Sequence, residues 1–176
     1  LIRTAQHQGN EKLSCLIQTL GSTGIRISEL RHITVESLRF GMAEIHNKGK
    51  MRRILYPGEL QKLLKKYAKK EKIESGPIFR SRSGKPLDRS NIWRMMKRLS
   101  HAAKVDAAKV YPHSMRHLFA RCFYKIKKDI AKLADVLGHS SIEITRIYIK
   151  STGREHKRQL DSMRLVIGDG EQKKTT

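Results

Sequence analysis

The stretch from Pro112 to Tyr148, PHSMRHLFARCFYKIKKDIAKLADVLGHSSIEITRIY, constrains the chain more than any other. His113 and Arg116 stand three residues apart just after a proline, a spacing that puts both on one side of a starting helix. Leu137-Gly138-His139 then gives a helix stop with a second histidine directly behind it, and Tyr148 follows nine residues later. Helix starts carry free backbone N–H groups and favour anions. Two histidines and a guanidinium gathered there make phosphate-binding surroundings, because a guanidinium stays charged and grips phosphate oxygens as a fork. A phenol attacking a phosphodiester needs a proton acceptor and a dense positive field. This one segment holds a candidate for each. Taken singly, every group has a plainer reading: a His-x-x-Arg at a helix start can cap or decorate a surface, and most tyrosines pack with a wet hydroxyl. Tyr67 and Tyr124 read that way.

The rest of the chain reads as a frame. Leu1 to Gly9 is polar and expected to fray. Asn10 can cap a helix whose apolar face is Leu13, Leu16, Ile17 and Leu20, ending at Gly21. A short helix is expected from Ile27 to Arg31, and a strand near Val35 to Arg39. Ala43–His46 and Arg53–Tyr56 flank Asn47-Lys48-Gly49-Lys50, which reads as a β-hairpin with Lys48 and Gly49 in or beside its turn. Pro57 opens a helix with Leu60, Leu63, Leu64 and Tyr67 on one face and lysines on the other. Ser90 caps the next helix, and a further one spans Ser114 to Tyr124. Asp129 caps one that ends at Leu137, and Ser140-Ser141-Ile142-Glu143 has the spacing to start another that carries Tyr148. Leu160, Met163, Leu165, Val166 and Ile167 give the end of the chain an apolar face before a disordered tail, 169–176. The fold class that results is α+β, mainly α-helical with a small antiparallel β-sheet.

Charge narrows the partner. The 176 residues hold 38 Lys and Arg against 16 Asp and Glu, a net charge of +22. Such a chain repels itself and calls for a polyanion. Nucleic acid is the first candidate, since clustered Lys and Arg release condensed counterions from phosphates. An anionic membrane surface is the second. No apolar run reaches the roughly 18 residues of a spanning helix, and no signal peptide opens the sequence. Cys15 and Cys122 lie in apolar stretches without metal spacing and read as buried thiols in a reducing, cytoplasmic setting.

Four motifs in order carry a resemblance. Thr23-Gly24-Ile25-Arg26-Ile27-Ser28-Glu29-Leu30, Asn47-Lys48-Gly49, His113-Ser114-Met115-Arg116-His117, and Leu137-Gly138-His139-Ser140-Ser141 with Tyr148 together resemble the catalytic domain of tyrosine recombinases, the phage-integrase family. The match runs from about Leu13 to Lys150. The resemblance implies that Tyr148 is the nucleophile, forming a 3′-phosphotyrosyl bond and releasing a 5′-hydroxyl. It implies that Arg26 and Arg116 clamp the non-bridging oxygens, that His113 accepts the tyrosine's proton, that Lys48 protonates the departing oxygen, and that His139 bonds the phosphate. Glu29 resembles a supporting acid. Lys50 competes with Lys48, which is favoured because it directly precedes the glycine. His117 reads as packing.

The resemblance further implies no metal and no ATP, double-stranded DNA as partner, and a tetramer on two duplexes that can be a monomer off DNA. It implies a protein of the cytoplasm, associated with the nucleoid when DNA-bound. Residues 1–168 form the catalytic domain on this reading, and the family's N-terminal core-binding domain is not among them. The C-terminal apolar face suits docking, on a neighbouring subunit or on its own domain. Two alternatives share much of the pattern: a catalytically silent DNA-binding module, and a type IB topoisomerase, which relaxes supercoils with the same chemistry. A metal-dependent relaxase also uses tyrosine, but the sequence lacks its histidine triplet.

Overall fold

The computed structural model describes residues 1–47, 50–149, 157, 160, 162 and 163. Its elements in order are α1 (Ile2–His7), α2 (Glu11–Thr23), a 3₁₀ turn (Ile27–His32), α3 (Val35–Phe40), β1 (Met42–Asn47), β2 (Lys50–Leu55), α4 (Gly58–Lys70), α5 (Arg89–Ala102), a second 3₁₀ turn (Ala107–Lys109), α6 (Pro112–Lys127), α7 (Ile130–Leu137) and α8 (Ile142–Arg146). The expected class holds: a mainly helical α+β fold with one two-stranded antiparallel sheet among the described residues.

α2 is the central helix. Asn10 accepts from the Leu13 N–H at 3.1 Å, closing its N-terminus. Leu13, Leu16, Ile17 and Leu20 are buried, at roughly 1.5–3 kcal/mol of transfer free energy each. The helix runs through Gly21, the expected stop, and ends at Gly24, which takes the left-handed conformation at φ +62. A Cβ there would stand 2.4 Å from the Phe119 ring, so the end of α2 also depends on the close approach of α6. α1 forms where fraying was expected, because Ala5 docks into the core.

The strand expected near Val35 is instead α3. Ser37 donates its N–H to the Thr34 hydroxyl at 3.1 Å, while the Thr34 N–H donates to the Ser37 hydroxyl at 2.9 Å. That reciprocal cap outweighs the β preference of a single branched residue. β1 and β2 pair from Met42 opposite Leu55 to Asn47 opposite Lys50. Ala43, Ile45, Ile54 and Tyr56 face the core, while Glu44, Met51, Arg53 and Leu55 face out. Lys48 and Gly49 lie outside the described residues.

Two hydrophobic clusters result. The larger gathers α1 to α5 and the hairpin; the smaller consists of Ala120, Leu133, Leu137 and Tyr148, with Phe119, Phe123 and Tyr124 against it. Cys15 is buried as expected, but Cys122 is exposed, on the outer face of α6. α5 is capped by Asp88, two residues before the expected Ser90, and α6 starts at Pro112. α7 has its expected Asp129 cap. Leu160 and Met163 are exposed; Leu165, Val166, Ile167 and 169–176 lie outside the described residues. Among the described residues no helix is long and apolar enough to cross a membrane.

Candidate active site

α6 positions the first groups. The Ser114 hydroxyl donates to the Tyr111 carbonyl at 2.6 Å, fixing the entry, and Pro112 occupies the first helical position. His113 and Arg116 then share a face one turn apart. Arg116 is 1% exposed and sits at the seam between the two clusters. Its Nη1 donates to the Gly24 carbonyl at 2.5 Å, and its Nη2 to the Leu137 carbonyl at 2.6 Å. Both carbonyls belong to helix ends and lack an intrahelical partner. One guanidinium thus ties the end of α2 to the end of α7. Burial, then the nearby Arg26 charge, push its pKa down to about 10, so it is still a cation at neutral pH. Its Nε is buried without a hydrogen-bond partner.

The turn after α7 delivers His139. Gly138 holds φ +63, and a Cβ on it would lie 2.3 Å from the Arg52 side chain. The His139 Nε2 stands 2.9 Å from Arg116 Nη2, and its Nδ1 stands 2.8 Å from the Thr145 hydroxyl. Burial, reinforced by Arg116, Arg26, Arg52 and His113, pushes its pKa down to about 4, so the ring is neutral at physiological pH.

Tyr148 does not ride on a helix as expected. α8 stops at Arg146, and Tyr148 occupies the turn beyond it, its N–H donating to the Thr145 carbonyl at 3.0 Å. The side chain is 8% exposed and turned inward. Its hydroxyl lies 3.1 Å from His113 Nε2. Three imidazoles surround the ring: His117 at 4.4 Å between centroids, His139 at 5.4 Å and near-parallel, His113 at 5.5 Å. Burial first, then His117, Arg116 and Arg26, lower the His113 pKa below its ordinary 6.5. Its neutral form, with a lone pair for the phenolic proton, prevails at neutral pH.

Arg26 enters from the start of the first 3₁₀ turn. Its backbone N–H donates to Glu29 Oε2 at 2.7 Å and its Nη1 to Oε1 at 3.2 Å. The Glu29 side chain is 6% exposed, that of Arg26 41%, so the carboxylate is a buried anchor and the guanidinium still meets solvent. Glu29 also receives Arg52 Nη2 at 2.5 Å, and Arg52 Nη1 reaches the Val136 carbonyl at 2.8 Å. Arg26 walls two cavities. One, of about 460 Å³, is lined by Trp93, Tyr111, His113 and Arg116; the other, of about 620 Å³, by Glu29, Arg52, Gly138 and His139. A third, of about 670 Å³ between Ile17, Leu60, Leu63 and Leu118, is apolar and holds none of these groups.

The structure therefore brings Arg26, Glu29, His113, Arg116, His139 and Tyr148 to one place. Lys48 lies outside the described residues, as does the side chain of Lys50. Sequence reasoning missed Arg52 and Thr145 and gave His117 only a packing role. The signal for Arg52 was available. It shares the inward face of β2 with Ile54 and Tyr56, where a charged residue needs a buried partner. Among the described residues no group of three or more His, Cys, Asp or Glu is placed to hold a metal ion.

A family model described as the phage integrase family matches residues 1–155. The chain belongs to the phage integrase family. Within that family it is 35% identical over 142 residues to a tyrosine recombinase of Agathobacter rectalis, covering 77% of this chain and 46% of that one. The crystal structure of XerA recombinase superposes with a TM-score of 0.77 at 24% identity, over 94% of this chain and 60% of that one. XerH site-specific recombinase bound to its difH substrate, in a pre-cleavage complex, gives 0.72 at 21%, over 93% and 49%. These two share the phage integrase fold seen here. The chain spans about half the length of the curated relatives it matches.

Proposed function

We propose that this chain cleaves and rejoins double-stranded DNA in site-specific recombination. The observation that carries the reading is the 3.1 Å contact of the Tyr148 hydroxyl with His113 Nε2, beside a buried arginine and a neutral histidine. Tyr148 attacks the scissile phosphorus as His113 takes the phenolic proton. The P–O bond to the 5′-oxygen breaks, leaving a 3′-phosphotyrosyl link and a 5′-hydroxyl. Arg26 and Arg116 meet the non-bridging oxygens, where charge builds in the transition state. The partnerless Nε of Arg116 is one donor for them. His139 donates to the same phosphate, and Lys48 protonates the leaving oxygen. Glu29 holds Arg26 in place. The phosphotyrosyl bond stores the energy of the broken linkage, so religation by a 5′-hydroxyl needs no ATP, and the arginines meet the charge a metal would otherwise meet.

Exchange between two duplexes breaks four strands and needs four nucleophiles, which supports a tetramer of this chain on DNA. Residues 1–168 act as one catalytic unit, working where chromosomal or mobile-element DNA is found. The +22 charge supports duplex DNA as partner, as does the likeness in fold to XerH recombinase bound to its difH substrate.

The test uses nicked duplexes from a randomised library, from which the cleaved fragment diffuses away. Incubated in EDTA, a recombinase retains a covalent adduct that Tyr148→Phe abolishes. A silent DNA binder shifts DNA without an adduct. An adduct that needs added metal points to a relaxase, and relaxation of supercoils without strand exchange to a topoisomerase.

A further inference from the structure

Thr145 is fully buried, and its hydroxyl spends its position on His139 Nδ1 at 2.8 Å. On the opposite edge of that ring, Nε2 meets Arg116 Nη2 at 2.9 Å. A guanidinium only donates, so Nε2 offers its lone pair and the ring proton sits on Nδ1, donated to Thr145. Neutral imidazole in water prefers the other tautomer, so the site imposes this one. A phosphate oxygen, in contrast, only accepts. For a neutral His139 to bond a phosphate through Nε2, the proton must move to that nitrogen, and Nδ1 must become an acceptor. Whatever lies beside Nδ1 must then change from acceptor to donor. A carbonyl or carboxylate cannot do so, whereas a hydroxyl needs only to rotate.

Resting on the recombinase reading, we propose that Thr145 is a positioning residue that reverses its hydrogen bond when a phosphate enters. In the empty site it accepts from His139 Nδ1–H. In the loaded site Arg116 Nη2 turns to the phosphate and keeps the Leu137 carbonyl, His139 donates through Nε2–H, and the Thr145 O–H donates to Nδ1. The Thr145 carbonyl holds the Tyr148 N–H at 3.0 Å. The residue that follows the histidine's proton therefore also seats the nucleophile's turn. One backbone unit registers whether the phosphate is bound and presents the phenol.

Long-range ¹H–¹⁵N NMR of ¹⁵N-histidine in the full chain reads the tautomer directly, first alone and then with orthovanadate as the phosphoryl probe. The expected result is an Nδ1–H His139 in the free protein that becomes Nε2–H with vanadate. Thr145→Val keeps the shape and removes the hydroxyl. It should leave the Nδ1–H form that Arg116 imposes in the free protein, weaken the change to Nε2–H with vanadate, and slow single-turnover cleavage about 10- to 100-fold. Thr145→Ser should restore both. An Nε2–H His139 in the free parent, or a Val variant that changes tautomer with vanadate and cleaves as the parent does, overturns the proposal. So does a Val variant that loses stability alone. A parent that shows the tautomer change yet forms no covalent adduct supports the Thr145 reversal and defeats the recombinase reading instead.

Discussion

At the scale of residues, the two arginines expected to act as a pair are held in opposite ways. Arg116 is enclosed and bonds two helix-end carbonyls, while Arg26 is half-exposed and rests on one buried carboxylate. Lysine has no fork to satisfy both carbonyls, and a buried acceptor left unpaired costs about 1–3 kcal/mol. Arg116→Lys should therefore lower Tm by about 2–12 °C, at about 2–4 °C per kcal/mol for a chain of this size. It should also cut cleavage by about 100-fold or more. Arg26→Lys should cut cleavage similarly with Tm almost unchanged, and equal Tm losses in both would contradict the placement. His113 supplies a pH test. Its pKa is lowered, so the proton-accepting form persists below the ordinary 6.5. At sub-saturating DNA, where the rate reports the free protein, cleavage should fall on acidification with a midpoint under 6.5. A midpoint above that value would remove His113 as acceptor. The spacing of His113, Arg116, His139 and Tyr148 was legible because each motif is local. That Arg116 also closes two helices was not, since its carbonyl partners lie 92 and 21 residues away.

At the scale of elements, the hairpin is fastened to the turn after α7 through Arg52. Its guanidinium spans Glu29 and the Val136 carbonyl, and its stem passes so close to Gly138 that no side chain fits there. Gly138→Ala should lose stability twice, through a left-handed backbone costing about 1–2 kcal/mol and through collision with Arg52. In Arg52→Ala the collision disappears, so urea denaturation should show Gly138→Ala to be less costly there than in the parent. Equal costs in both backgrounds would mean that the two do not touch in solution. Helices with a strong apolar period and a local cap, such as α2 and α7, were readable from sequence. α3 was not, because its cap is a reciprocal pair that outweighs one branched residue. The end of α8 was missed too: the helix does start beside the Ser140–Glu143 spacing, though from Ser141 and without a side-chain cap bond, but nothing local predicts that Tyr148 leaves it to join Ala120, Leu133 and Leu137.

At the scale of the whole molecule, the charge of +22 is far more than the site uses. Among the described residues most lysines and arginines are exposed, as on the lysine-bearing face of α4 and on Arg94 and Arg98 of α5. Binding to duplex DNA should therefore weaken steeply with salt, by on the order of 10³-fold between about 50 and about 200 mM if six or more phosphates are met. A nearly flat dependence would leave that surface without its polyanion. The measurement that bears most directly on the account is the position of the covalent bond. DNA-linked protein from the nicked-duplex reaction is digested with protease and nuclease, and the peptide that retains a nucleotide is sequenced by mass spectrometry. The account predicts a single modified residue, Tyr148, joined to a 3′-phosphate. A nucleotide on any other side chain, or a link through a 5′-phosphate, would contradict it.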